Sequence, residues 1–158
     1  MSKSLKRVRA VLDSADAATE VRETGLARTA ADAAAALGCH VDQIAKSIVF
    51  LGAQSGDALV FVTAGGQQVD LAKAAALAGE DLGKASADVI RAQTGFAIGG
   101  VSPVGHIGPT RKWFDRSLLA FDIVWAAAGT PHHVFRAAPA DMARLAQAEL
   151  ADFVRAAP

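Results

Sequence analysis

The chain has no tyrosine and only one cysteine, Cys39, among its 158 residues. A lone cysteine cannot close an internal disulfide, so the fold must rest on its own core. That agrees with a reducing compartment, and a cytoplasmic location is expected. Seven Phe and two Trp are the only aromatics, too few for an RNA-reading platform on which successive bases stack. Neither sign of charge dominates, because Lys+Arg and Asp+Glu number 16 each. The absence of a global basic field argues against non-specific coating of nucleic acid. It leaves room for a local basic rim around a single strand end. No apolar run approaches the ~20 residues that cross a bilayer. The opening MSKSLKRVRAVLDSAD is charged and lacks the continuous apolar centre of a signal peptide. No membrane attachment is expected.

What is present is a globular composition, 52% hydrophobic and 20% charged. There is no repeat, no low-complexity tail and no linker. One domain over 1–158 is expected, and a compact chain of this size buries about 70% of its extended surface. Leu5, Val8, Val11 and Leu12 recur at helical spacing and predict a helix over 3–13. Lys3, Lys6, Arg7 and Arg9 lie among them and read as a solvated face. A short strand is expected at 19–22. Thr29 is placed to cap a helix that ends at Leu37 with Gly38 behind it. The run 45–51 and its return 58–63 read as a β-hairpin. Asp70 caps a helix over 71–78, and Ser86 one over 87–93. Strands are expected at 96–98, around Trp113-Phe114, at 121–127 and at 134–136. Pro139 suits the first turn of a terminal helix over 140–155. Short helices and hairpins without regular βαβ alternation predict an α+β fold with a mixed or antiparallel sheet.

Two stretches carry chemistry. Lys46 opens the apolar strand KSIVFL. It either snorkels to solvent or holds a cation near an oxygen-rich ligand such as a phosphate or a sugar hydroxyl. The stretch GFAIGGVSPVG, 95–105, holds four glycines and a proline. Its Gly99-Gly100-Val101-Ser102-Pro103 segment is either a tight turn or a concavity of bare amides that receives a carbonyl or an anion. Ser102 is a conceivable nucleophile, but no Ser-His-Asp order is legible and G-x-S-x-G is absent. The four histidines, His40, His106, His132 and His133, show no H-E-x-x-H or Cys/His spacing, so no metal site is expected. Gly65-Gly66 lacks the Gly-Lys-Ser/Thr that would make it a P-loop.

In order along the chain stand TAADAAAALG, IAKSIVF, the Val-Asp-Leu-Ala-Lys helix start, TGFAIGGVSPVG and AGTPHHVF. This series resembles the YbaK/ProX family of aminoacyl-tRNA deacylases, related to the editing domain inserted in bacterial prolyl-tRNA synthetases. The resemblance spans about residues 20–150, and its most specific marks are the lysine of IAKSIVF and the Gly-x-x-x-Pro loop. It implies an α+β fold with a mixed, barrel-like central sheet flanked by short helices. It implies hydrolysis of the ester joining a wrongly attached amino acid to the terminal ribose of a tRNA, with no cofactor and no metal. Lys46 would stand near the terminal adenosine and its phosphate, and the Gly99–Pro103 backbone would receive the scissile carbonyl. Ser47 and the segment 129–135 (GTPHHVF), with Thr130, His132 and His133, are candidates to line a pocket for Ala, Ser, Thr or Cys. Some family members carry an acid in that late segment; none stands here between Asp122 and Asp141. An aminoacyl-tRNA is the expected partner, with transient association with an aminoacyl-tRNA synthetase as an accompanying possibility. A non-catalytic tRNA- or nucleotide-binding module and a hydrolase of another small ester are the alternative expectations.

Overall fold

The computed structural model describes residues 2–156. Helix α1 spans Lys3–Ser14, and its first turn is closed by the Ser2 hydroxyl, which accepts from the Leu5 amide. Leu5, Val8 and Leu12 share its buried face. Strand β1 follows at Glu20–Glu23. Helix α2, Ala30–Leu37, starts at the Thr29 cap and stops at Gly38, whose φ of 68° suits glycine. Strands β2 (Ala45–Gly52) and β3 (Ala58–Ala64) form the expected antiparallel hairpin. Helix α3 is Leu71–Ala78, with Asp70 accepting from the amides of Ala72 and Lys73. Strand β4 (Leu82–Lys84) and helix α4 (Ala87–Thr94) follow. The rest of the chain supplies β5 (Arg111–Asp115), β6 (Val124–Thr130), β7 (His133–Ala137), α5 (Pro139–Ala146) and β8 (Glu149–Ala151).

The strands make two sheets, one ordered β1-β7-β6 and the other β4-β2-β3-β5-β8. The second is mixed: β2 runs antiparallel to β3 and β4, while β3–β5 and β5–β8 are parallel. The fold is therefore α+β with a mixed sheet, but the barrel-like central sheet is corrected to two sheets that do not close into a barrel. An isolated bridge, Ile44 to Trp125, links the backbones of the two layers.

Strand β3 explains the packing. Every residue of ALVFVTA is buried. Val60 and Val62 point into a core shared with Leu5, Val8, Val124, Ala126 and Phe135. The alternate residues, Leu59 and Phe61, point into a second core with Ala74, Trp113 and Phe153. Phe61 stacks on Trp113 at 4.7 Å between ring centroids. A strand covered on both faces reads as an unbroken apolar run, which is what the sequence shows.

Two more expectations fail. Residues 96–98 are not a strand. Phe96 is buried, but the Gly100 amide turns back to the Ala97 carbonyl at 3.0 Å and Gly99 takes a φ of 90°. Both sides of β3 are already occupied, by β2 and β5. The terminal helix ends at Ala146 rather than 155, because Gln147 adopts a left-handed conformation with φ 55°. The chain then adds β8 to the open edge of β5. A free sheet edge outcompeted local helix propensity.

Candidate functional site

A cavity of about 520 Å³ opens between the first turn of α2, the start of β2 and the β6–β7 turn. That size is ordinary for a small-molecule site. The pairing of β2 with β3 puts Lys46 opposite Thr63. Its ammonium donates to the Gly65 carbonyl at 3.0 Å. Burial lowers the Lys46 pKa, and the nearby Asp42 carboxylate opposes that shift. Asp42 itself accepts from the Gly66 amide at 2.7 Å. Gly65 is where the chain must be bare, since a side chain there would run into the Val41 carbonyl and Ala30. Gly65-Gly66 thus brings the end of β3 against residues 41–43 and sets an acceptor before Lys46. Its signal in the sequence was visible only as the lack of a P-loop.

Beside Lys46, the Ser47 hydroxyl is shielded from solvent and has no hydrogen-bond partner in the protein. An unpaired buried hydroxyl is costly, about 1–3 kcal/mol. Across the cavity, Thr130 shares a 2.7 Å hydrogen bond with His133 Nδ1, and its oxygen also accepts from the His132 amide at 3.1 Å. Lys46, Ser47, Thr130 and His133 all line the cavity, whereas His132 sits exposed on the turn and does not.

The Gly99–Pro103 loop is divided. Gly99 and Val101 line the cavity; Gly100, Ser102 and Pro103 are buried behind it. A Cβ on Gly100 would lie 3.0 Å from the Thr130 Cα, so its bareness lets the loop pack on the β6–β7 turn. Among the described residues, no internal acceptor takes the amides of Gly99 or Val101. Ser102 is fully buried, its hydroxyl accepts from the Val104 amide at 3.2 Å, and it does not line the cavity.

The residues that sequence reasoning passed over are Arg28, Thr29 and Ala30 at the start of α2, with Ile44 on the apolar wall; Val134, inside the expected 129–135 segment, completes that wall. Thr29 was legible as a cap, but nothing local told that α2 would face Lys46. Arg28 is an exposed cation on the rim. Among the described residues, no carboxylate lines the cavity. No group of three or more His, Cys, Asp or Glu able to hold a metal occurs among the described residues.

His106 lies behind the loop. Its Nε2 is 2.6 Å from the Ser102 carbonyl and its Nδ1 is 3.1 Å from the Thr110 hydroxyl. A carbonyl only accepts, so Nε2 carries the proton and Nδ1 accepts from Thr110. Burial, with smaller contributions from the Lys112 and Arg7 charges, lowers the His106 pKa to about 4 against the pull of the Ser102 bond. The ring is neutral at pH 7.

The site therefore offers a partly desolvated cation, two unengaged amides on a glycine loop, an unpaired hydroxyl and a histidine, around a small, mostly apolar hollow. Comparison with known proteins agrees with the resemblance. Residues 24–145 match the model of the aminoacyl-tRNA editing domain. The uncharacterised protein YwhH of Bacillus subtilis (strain 168) is 30% identical over 114 residues, 72% of each chain. A solved structure described as a candidate trans-editing enzyme for prolyl-tRNA synthetase is 42% identical, with a TM-score of 0.90 over 99% of both chains. A scaffold protein used for computational grafting of linear epitopes is 41% identical, with a TM-score of 0.89 over 99% of this chain and 100% of its own. A match over most of the chain, and a common fold that carries Lys46 and the glycine loop into one cavity, make this chain a member of the aminoacyl-tRNA editing domain family.

Proposed function

We propose that the chain is a trans-editing hydrolase that deacylates mischarged aminoacyl-tRNA carrying Ala, Ser, Thr or Cys, on a proline tRNA or a related one. The observation that carries this reading is that Lys46, Gly99 and Val101 line one cavity, with the amides of the last two taken by no internal acceptor among the described residues. Family membership and the 42% identical relative support it.

In this reading the terminal adenosine enters past Arg28, and Lys46 binds its phosphate or ribose oxygens. The aminoacyl group lies toward the apolar wall of Ile44 and Val134, where a small side chain fits. Water adds to the ester carbonyl, and the negative charge on oxygen is met by the free amides of the loop. The carbon–oxygen bond to the ribose then breaks. The water supplies the oxygen of the released amino acid and the proton of the restored ribose hydroxyl. A hydroxyl of the terminal ribose orients the water, since no carboxylate among the described residues lines the cavity. Ser47 and His133 face the bound group and hold its polar atoms. Packing alone separates residues differing by a methyl or hydroxyl only about 10–200-fold, so specificity among the small amino acids is relaxed. The reaction belongs to the cytoplasm, with transient contact to a synthetase that makes the error.

The test is deacylation of tRNAs charged with Ala, Ser, Thr, Cys and Pro, run beside Lys46→Ala. Release of one or more small residues by the native protein and none by the folded variant is the expected result. Hydrolysis of none of them would sink the reading and leave a binding module of the same fold. A terminal deoxyribose that still turns over normally would remove the ribose-assisted step.

A further inference from the structure

The segment 95–106 behind the site makes few hydrogen bonds of its own. The Gly100 amide reaches Ala97, and the Val104 amide reaches the Ser102 hydroxyl. Three of its carbonyls are instead held by side chains. Arg7 of α1 donates from Nη2 to the Gly95 carbonyl at 2.7 Å and from Nε to the Gly105 carbonyl at 3.0 Å. One guanidinium thus ties the two ends of the glycine segment together. The same group lies 5.0 Å from the centre of the buried Phe96 ring. His106 meets that ring edge-on at 5.3 Å and holds the Ser102 carbonyl between the two Arg7 anchors.

The fit is close. A side chain at Gly95 would run into the Arg7 guanidinium, and one at Gly105 would lie 3.2 Å from the Val8 amide. Arg7 has no carboxylate partner among the described residues, so ion pairing does not account for its place. Helix α1 also holds the opposite wall, since the Ser4 hydroxyl donates to the Gly129 carbonyl at 2.7 Å. Yet no α1 residue lines the cavity, and α1 lies outside the segment that matches the family model.

We propose that Arg7, seconded by His106, is a positioning residue that fixes the shape of the Gly99–Pro103 loop and so the direction of its free amides. The planar fork of arginine serves two carbonyls at once, which a lysine ammonium on a flexible stem does not. Loop amides that receive a developing charge must be in place before the reaction, and a small displacement costs much. This rests on the reading of the loop as the carbonyl-receiving element.

The experiment compares native protein, Arg7→Ala and Arg7→Lys on proline tRNA charged with alanine, and measures hydrogen exchange on the same samples. Expected for both variants is a kcat lower by on the order of 10- to 100-fold with KM little changed. Dilute guanidinium chloride should restore part of the Arg7→Ala rate, where the same concentration of KCl does not. Amides over 97–104 should exchange about tenfold faster or more, while those of β3 keep their protection. Unchanged loop exchange in both variants overturns the proposal, as does an unchanged kcat. If Arg7→Ala also loses β3 protection, Arg7→Lys, which keeps the stem and the charge, decides. If the native protein hydrolyses nothing, the functional reading fails and the exchange comparison still decides whether Arg7 shapes the loop.

Discussion

The two walls of the cavity are built differently. Lys46 and Ser47 stand on β2, whose backbone is laddered to β3 from Ala45 to Leu51. The facing loop has no ladder and takes its shape from Arg7, His106 and the close contact of Gly100 with the β6–β7 turn. The first wall places a side chain through local pairing. The second places main-chain amides through contacts from residues up to 98 positions away. A hydrogen-bonded strand tolerates changes that point into the cavity. A loop held by side chains transmits changes made behind it.

That contrast can be broken at its strongest point with Lys46→Ala. We expect at least a 100-fold loss of deacylation, as when a group essential to the transition state is removed. Stability should be unchanged or slightly higher. Burial lowers the Lys46 pKa, so holding its charge in the fold carries a desolvation cost that the variant removes, against the loss of its bond to the Gly65 carbonyl. A kcat near native, or a Tm lowered by many degrees, would make Lys46 a structural residue.

Gly100→Val tests the second wall. Its new side chain meets Gly129 and Thr130 backbone, which cannot yield cheaply. The expected cost is about 1–3 kcal/mol of stability, with kcat down by on the order of 10- to 100-fold. Denaturant unfolding beside single-turnover kinetics measures both. A stable, fully active variant would reduce the loop to a turn.

His106 sharpens the comparison through pH. Its pKa in the fold, about 4, lies below its ordinary 6.5. Between those values the unfolded chain binds the extra proton, so stability falls as pH drops from 6.5 toward 4 and is complete above 6.5. The size is roughly 3 kcal/mol at one pKa unit per 1.36 kcal/mol. Burial is the main cause of the shift, and Lys112 and Arg7 are the charges facing the ring that add to it. His106→Gln should flatten this part of the stability–pH curve; an equally steep curve would place the titration elsewhere.

The smallest effect belongs to the strand wall. Ser47→Ala removes a buried hydroxyl that has no protein partner. It should raise stability by up to about 1 kcal/mol while weakening KM. A fall in stability would show that the hydroxyl is bonded in solution.

Much of the architecture was legible locally. The caps Thr29, Asp70 and Ser86 and the stops Gly38, Gly79 and Gly95 all stand where short-range chemistry puts them. The hairpin of β2 and β3 was legible because two β-favouring apolar runs flank a turn. Residues 96–98 were misread because an apolar triplet does not reveal whether a sheet edge is free to take it. The end of α5 was misread for the converse reason, a free edge on β5 that captured 149–151. In the site, Lys46 was conspicuous as a charge in an apolar strand and the loop as a cluster of glycines. Arg7 was hidden, because a charge on an amphipathic helix looks solvated until the helix is docked.

The sequence by itself determined the capped helices α2, α3 and α4, the central hairpin, the lysine and the bare loop, since each follows from residues close in the chain. Only the tertiary structure decided which of them meet. It brought α2 opposite Lys46, turned Gly99 and Val101 inward, buried Ser102, and laid Arg7 behind the loop. Those are contacts between segments far apart in sequence, chosen by burial of Val60, Val62 and Phe61 on the two faces of one strand. No local pattern encodes them.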